Sequence, residues 1–227
     1  VDECAIGDCS PQTFDEADQA TILRIKKYIP TARIIIVLRD PLGWALSAYR
    51  MYSRDGIEPC KTFAQAVERE RSEVLAGSTT YPRYVWKKSP DSQRLRLFLD
   101  AFGPEQVRVF LYDDLLNDRQ AFMREIFAFI GVDPTFALPR QHRTNTSGRP
   151  ANVFFSFLFN RANPIRTISR LLLTSGMRDA LKQKFIRPIS ETEKQADNEV
   201  VNELRGEVKD EVLAIQALIG RDLSHWL

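Results

Sequence analysis

The sequence predicts an α/β domain in which helices flank a parallel β-sheet. Two observations carry this expectation: helical segments alternate with two short apolar strands, and the run Ile34–Leu38 is apolar at every position. A strand that is apolar on both faces is typical of a central parallel strand covered by helices. With 227 residues, the chain can form one such domain or two small ones. We expect the α/β part at residues 1–150 and a helical extension, packed on the same domain, at residues 151–227.

The individual elements are predicted from apolar periodicity and from the residues that begin or end helices. Asp40-Pro41 places a capping residue before a proline at the first helical position, which favours a helix start. Pro30, Gly131 and Gly220 mark helix ends. In chain order the sequence predicts helix 15–28, strand 33–38, helix 41–55, helix 62–75, helix 91–102, strand 107–111, helix 115–130 and, after a basic loop at 140–150, helical segments that end with helix 199–218.

Two strands make a sheet that is too small to be stable alone. A domain with this many helices normally has three or more parallel strands. We therefore expect the remaining strands to precede Val1, which is not an initiator methionine.

Composition narrows the classes of function. The formal net charge of +2 is too close to neutral for a general nucleic-acid binder, although it is compatible with a local anion site. No apolar run approaches the ~20 residues that a membrane-spanning helix needs. Three cysteines and two histidines, with no CxxC pair, argue against a zinc site and favour a cytoplasmic protein. Cys4 and Cys9 are close enough in sequence for a local disulfide in an oxidising compartment.

The strongest functional signal is the junction between the strand that ends at Leu38 and the helix that starts at Pro41. Arg39 follows the carboxyl end of the strand, where open α/β sheets bind ligands. The helix directs the positive end of its dipole to this place, and Ser47 adds a hydroxyl donor two turns along it. Because an arginine can hold a phosphate through two parallel hydrogen bonds, these residues predict a phosphomonoester site. The alternative is that Arg39 and Asp40 form only a structural ion pair and helix cap.

This junction resembles the 3′-phosphate-binding segment of sulfotransferases that use 3′-phosphoadenosine 5′-phosphosulfate (PAPS). The likeness is carried by Ile36-Val37-Leu38-Arg39-Asp40-Pro41, with Ser47 eight residues after the arginine and Tyr49 beyond it. The loop at 145–150 and the tail at 218–226 are similar to those of bacterial members. Segments that resemble the family occur in its order at 7–11, 33–49, 102–115, 127–132, 145–150 and 218–226.

The resemblance implies a P-loop-like fold and an enzyme that moves a sulfuryl group from PAPS to a hydroxyl or amine. Carried over residue by residue, it implies that Arg39 and Ser47 hold the 3′-phosphate, and that Gly148 and Arg149 belong to a loop that closes over the nucleotide. It implies no metal. The expected acceptor is a small molecule, a carbohydrate or a lipid, bound by loops around residues 50–62 and 76–90.

Three parts of the family pattern are not found in this sequence. The Gly-Thr-Thr-like loop that cradles the 5′-phosphosulfate is expected before Val1, as is the catalytic base, which stays unassigned. Gly77-Ser78-Thr79-Thr80 has residues similar to those of the Gly-Thr-Thr-like loop. No apolar strand precedes this segment, so we interpret it as a surface turn. The adenine contact is also unassigned. Tyr81 and Tyr84 are candidates to replace the family's tyrosine, whereas Trp86 is expected to be a core aromatic residue of the same region.

Two alternatives of other classes remain at this stage. One is a P-loop kinase-like nucleotide enzyme, which an upstream Walker-type lysine loop and an acidic Mg²⁺ ligand would mark. The other is a non-catalytic sulfotransferase-like binding module. Absence of nucleotide binding by the complete protein would support this alternative.

Overall fold

The computed structural model describes residues 5–15, 17–78, 83–86, 90–136, 138, 148–150 and 186–227. Its elements in chain order are α1 (Pro11–Asp15), α2 (Gln19–Tyr28), β1 (Ile34–Leu38), α3 (Pro41–Arg54), α4 (Phe63–Leu75), α5 (Asp91–Phe102), β2 (Val107–Leu111), α6 (Tyr112–Asn117), α7 (Arg119–Ile130), β3 (Gly148–Pro150), β4 (Ile186–Pro188), α8 (Glu191–Glu203) and α9 (Arg205–Ile219), with a 3-10 helix at Ser224–Trp226.

The elements predicted between residues 33 and 111 are confirmed, since β1, α3, α4, α5 and β2 each lie within one residue of the expected bounds. The helix predicted from residue 15 begins later, as α2. Its start is set by Asp18, whose side chain accepts a hydrogen bond from the Thr21 backbone N–H at 2.7 Å. An aspartate in this capping position satisfies an N–H group that has no partner within the helix.

Two predicted helices are each divided in the structure. The helix expected at 115–130 is α6 followed by α7, because the Asp118 side chain caps α7 by accepting a hydrogen bond from the Ala121 N–H at 2.9 Å. The final helix, expected to start at 199, starts at Glu191, where Ser190 and Glu193 form a capping box. It is interrupted at the buried Leu204 and continues as α9.

The described elements form two compact units. The sheet unit contains α1, α2, β1, α5, β2, α6, α7 and the chain from Lys209 onwards. The helical unit contains α3, α4, β3, β4, α8 and the start of α9 up to Val208. The expected division of the chain between residues 150 and 151 stays a prediction, because residues 151–185 lie outside the described part.

The core of the sheet unit is built on a small parallel sheet, as predicted. β1 and β2 pair in register from Ile34 with Val107 to Leu38 with Leu111. Because both strands run in the same direction, their carboxyl ends meet at one edge. On the β2 side, the Phe110 ring packs against an aromatic ring of α7 at 5.3 Å between centroids. Five residues of the two strands are almost completely buried: Ile36, Leu38, Val107, Phe110 and Leu111.

The core of the helical unit contains a buried carboxylate on α4. This helix buries one stripe at i, i+3, i+4 and i+7, formed by Phe63, Ala66, Val67 and Glu70. Glu70 is fully buried and accepts hydrogen bonds from the backbone N–H groups of residues 84, 85 and 86 at 2.8–3.2 Å. The carboxylate therefore attaches the segment 84–86 to α4.

A second buried carboxylate, Glu58, holds the same segment through the side chain of Tyr84. The Tyr84 hydroxyl donates to Glu58 at 2.5 Å, and Arg69 donates two hydrogen bonds to the same carboxylate at 2.8 and 2.9 Å. Burial, together with the Glu58 carboxylate, raises the pKa of Tyr84 far above its ordinary value, so the phenol remains a donor.

Among the helices of the described residues, none is both long and apolar enough to cross a membrane.

We predict that Glu70→Gln lowers the free energy of unfolding by about 2–4 kcal/mol. Glutamine keeps the shape of the side chain but replaces one acceptor oxygen by an NH₂ group that faces backbone donors. Chemical denaturation measures the difference. The matched control is Glu68→Gln at an exposed position of the same helix, which we expect to change stability by less than ~0.5 kcal/mol. Equal stabilities of the two variants would contradict the prediction.

Candidate functional site

The register of the sheet brings Arg39 and Tyr112 together at the carboxyl edge. Leu38 pairs with Leu111, so the residues that follow them are neighbours at the ends of the two strands. The guanidinium carbon of the half-buried Arg39 lies 4.9 Å from the centroid of the Tyr112 ring. A cation at this distance over an aromatic face is attracted by the ring, more strongly where water is partly excluded.

The hydrogen-bond donors of Arg39 are not engaged by the sheet unit. Among the described residues of this unit, none accepts a hydrogen bond from Arg39. The predicted structural alternative, an ion pair and helix cap formed by Arg39 and Asp40, stays a prediction. A guanidinium that lies over an aromatic ring interacts with it through charge and not through its hydrogen bonds, so its N–H groups remain available to a two-oxygen acceptor.

Other arginines of the same unit are held differently. Arg94 is almost completely buried and pairs with Asp91, while Arg221 pairs with Asp114. In both pairs the donors point at a carboxylate of the protein. Arg39 thus has the environment of an arginine that is held in place and still able to bind an anion.

Ser47 lies on α3, in the helical unit, six residues after the helix begins at Pro41. Its neighbours Leu46 and Ala48 are buried, whereas Ser47 is exposed. The hydroxyl is accessible to a ligand on this face of the helix.

The backbone of β3, which contains Gly148 and Arg149, packs beside α3. It pairs antiparallel with β4, and Arg149 stands directly opposite Arg187 in the register. The predicted site residues Gly148 and Arg149 are therefore brought to the helix that carries Ser47. The rest of the predicted loop, residues 140–147, lies outside the described part.

Two aspartates of α6 bind the C-terminal segment 221–226. Arg221 donates two hydrogen bonds to Asp114, at 2.6 and 3.0 Å. Asp113 accepts a hydrogen bond from the buried Trp226 indole at 2.7 Å and lies 3.1 Å from His225 Nε2. We call these five residues the C-terminal clasp. The segments 102–115 and 218–226, which the resemblance to the family singled out separately, bind each other here.

The clasp joins groups that keep each other charged. The hydrogen bonds from Arg221 lower the pKa of Asp114, and the Leu111 backbone N–H acts in the same direction. In return, the Asp114 carboxylate raises the pKa of Arg221. Both side chains are partly exposed, so water weakens their attraction.

The residues considered for the adenine contact have other surroundings. Tyr84 is only 1% exposed and is bound to Glu58, which excludes it as a stacking surface for a base. Trp86 is half-buried beneath the Arg71 guanidinium, at 5.3 Å. Tyr81 lies outside the described residues.

Within the described part, no group of three or more His, Cys, Asp or Glu residues could hold a metal ion.

Sequence reasoning assigned no role to Tyr112 or to the buried glutamates. A signal existed for Glu70, because it falls on the apolar stripe of α4 at i+7 from Phe63. Nothing in the sequence distinguishes Glu58 from an exposed glutamate. The role of Tyr112 depends on the pairing register, which the sequence alone does not supply.

We predict that Asp114→Asn lowers the free energy of unfolding by about 1 kcal/mol at pH 7, because it weakens the clasp. The pKa of Asp114 is lowered by folding, so its contribution is present above the ordinary pKa of an aspartate and is lost as the pH falls through the lowered value. Denaturation between pH 7 and pH 3 should show the two proteins converging in acid. The exposed Asp100→Asn is the control for charge alone. A difference that is independent of pH, or equal in the control, would contradict this assignment.

Comparison with known proteins places the chain in a family. The sequence model of the sulfotransferase family matches residues 6–136, a range that contains β1, β2, Arg39, Ser47 and Tyr112. No curated protein matches the chain significantly. The crystal structure of a sulfotransferase from Alicyclobacillus acidocaldarius has the same fold, with a TM-score of 0.64 at 22% identity over 99% of this chain and 68% of that chain. Because the family match spans more than half of the chain, this protein belongs to the sulfotransferase family.

Proposed function

We propose that this sulfotransferase takes its sulfuryl group from PAPS and that Arg39 and Ser47 bind the 3′-phosphate of the nucleotide. The observation that carries the proposal is the environment of Arg39. It stands at the carboxyl edge of a parallel sheet, half-buried over Tyr112, with its donors unengaged by the sheet unit. This edge is where open α/β folds bind their ligands.

A 3′-phosphate fits this environment better than a carboxylate or a neutral group. It presents several oxygens with a charge near −2, which suits the parallel donors of a guanidinium. Ser47 adds an exposed hydroxyl on the helix that begins directly after the Arg39 turn. The remaining 5′-nucleotide has no part in these contacts, so the two residues would recognise the 3′-phosphate alone.

The pairing of β3 with β4 supports a role for Gly148 and Arg149 in the same site. Arg149 and Arg187 occupy directly opposed positions of an antiparallel pair. Both arginines carry a positive charge that suits an anion, and the backbone of β3 packs beside the helix that carries Ser47. We therefore propose Gly148 and Arg149 as nucleotide contacts, and Arg187 as a further source of positive charge.

The residues assigned here act by binding and not by proton transfer. PAPS, when bound, supplies the sulfuryl group. Contacts to the distant 3′-phosphate fix the orientation of the nucleotide, and so use binding energy to align the reacting end with the acceptor. The catalytic base and the loop that holds the 5′-phosphosulfate stay unassigned. We propose a hydroxyl or amine on a small molecule, carbohydrate or lipid as acceptor, no metal requirement and a cytoplasmic location.

We predict that Arg39→Ala weakens binding of 3′-phosphoadenosine 5′-phosphate at least tenfold and changes binding of 5′-AMP by less than twofold. Losing a charge-assisted hydrogen-bond pair accounts for a change of this size, since tenfold corresponds to about 1.4 kcal/mol. Calorimetric titration with both nucleotides measures it. Arg108→Ala is the matched control, because Arg108 is exposed and lies over Phe129 at 5.6 Å. Equal losses for both nucleotides would show that Arg39 supports the fold and not the phosphate.

We also predict that Arg149→Ala and Arg187→Ala each weaken binding of 3′-phosphoadenosine 5′-phosphate by about three- to tenfold, because each removes one charge from the proposed phosphate site. Arg124→Ala, at an exposed position of α7, is the control for net charge. The same titrations decide the question. Unchanged affinity in both variants would remove β3 and β4 from the nucleotide site.

A further inference from the structure

We propose that Tyr112 is a positioning residue for Arg39, and that the C-terminal clasp holds Tyr112 in place. The inference rests on the proposed binding of the 3′-phosphate by Arg39. Tyr112 is half-buried and is the first residue of α6, directly after the strand end that pairs with Leu38. Its ring lies against the Arg39 guanidinium at 4.9 Å.

An arginine needs such a support if it is to bind a ligand tightly. Its long side chain has many rotamers, and ordering it on binding lowers the affinity. A guanidinium that is already held over a ring has lost much of this freedom before the ligand arrives. Among the described residues of the sheet unit, the contact of Arg39 with Tyr112 is through the ring and not through a hydrogen bond, so it leaves the N–H groups to the phosphate. Tyr112 therefore preorganises Arg39 without occupying its donors.

Among the arginine–ring pairs of the described residues, Arg39 and Tyr112 have the shortest separation. Arg94, 5.2 Å from the Phe14 ring, also pairs with Asp91, and Arg33, 5.9 Å from the Phe129 ring, also donates to the Phe129 carbonyl. For those arginines the ring is an additional contact. For Arg39 the ring is the support itself.

The clasp explains how a short helix can hold the ring steadily. α6 has only six residues, too few to be stable by itself. Asp113 and Asp114, which directly follow Tyr112, are bound by the C-terminal segment, and Asp114 also accepts the Leu111 backbone N–H at 3.4 Å. The tail thereby holds the two residues after Tyr112, and Asp114 in turn binds the residue before it. We infer that the C-terminus of this chain contributes to nucleotide binding through Tyr112 and without touching the nucleotide.

The first measurement compares two substitutions of Tyr112. We define the 3′-phosphate preference as the ratio of the affinities for 3′-phosphoadenosine 5′-phosphate and 5′-AMP. Tyr112→Leu, which removes the ring, should lower this ratio about three- to tenfold, whereas Tyr112→Phe, which keeps it, should leave the ratio within about twofold of wild type. A merely structural role would lower both affinities equally and leave the ratio unchanged.

A double-mutant cycle tests whether Tyr112 acts through Arg39. In an Arg39→Ala background, Tyr112→Leu should have no further effect on the 3′-phosphate preference. A further loss of the same size in that background would overturn the positioning role, because Tyr112 would then act independently. A reduced preference in Arg39→Ala with no change in Tyr112→Leu would overturn it while leaving the proposed function intact. No change in Arg39→Ala would overturn both.

The clasp is tested in the same way. Asp114→Asn should lower the 3′-phosphate preference about two- to threefold at pH 7, and Asp100→Asn should not. An unchanged ratio in Asp114→Asn would remove the C-terminal segment from the proposal.

If Tyr112→Leu does not fold, a measurement on the wild-type protein tests the inference instead. NMR relaxation of the Arg39 side-chain Nε–H, assigned by its loss in Arg39→Ala, should show an ordered group before nucleotide is added. A freely mobile Arg39 side chain in the nucleotide-free protein would overturn the inference.

Discussion

The parallel pairing of β1 with β2 is the constraint on which the functional edge of this protein depends. One register, Leu38 with Leu111, decides which residues meet where the two strands end. It sets Arg39 beside Tyr112 and makes α6 begin next to the proposed phosphate site. A shift of one residue in a strand would turn its side chains to the other face. The burial of Leu38 and Leu111 opposes that shift.

Ionic groups in this protein serve two different purposes, and their partners distinguish them. Glu70 and Glu58 are buried carboxylates whose oxygens are fully engaged with backbone donors, with Tyr84 or with Arg69. Such groups stabilise only while every partner is present, so they define one arrangement of the segment 84–86 on α4. Arg39 is held by the face of a ring instead. That difference distinguishes Arg69, which maintains the fold, from Arg39, which we propose to bind a ligand.

The C-terminal clasp gives the last residues of the chain a specific place. Trp226 is buried and its indole donates to Asp113, while Arg221 binds Asp114 with two hydrogen bonds. These contacts join the end of β2 to a segment more than 100 residues later in the sequence. In this member of the sulfotransferase family, the clasp connects the end of β2, beside Arg39, with the C-terminal segment. The carboxyl edge of the sheet is therefore held both by the pairing of its strands and by the C-terminal segment.

The sequence by itself determined most elements between residues 33 and 111, because β-branched runs, capping residues and helix-ending glycines act locally. It also identified Arg39 as a candidate site residue, which stays a prediction. It did not determine the breaks at Asp118 and Leu204, where a capping side chain and a buried leucine prevailed over helical periodicity. Only the tertiary structure decided that Tyr112 supports Arg39, that Asp113 and Asp114 bind the C-terminal segment, and that Glu58 is buried. The physical reason is that each of these depends on residues distant in sequence, brought together by strand register and by burial, and neither is encoded in a local pattern.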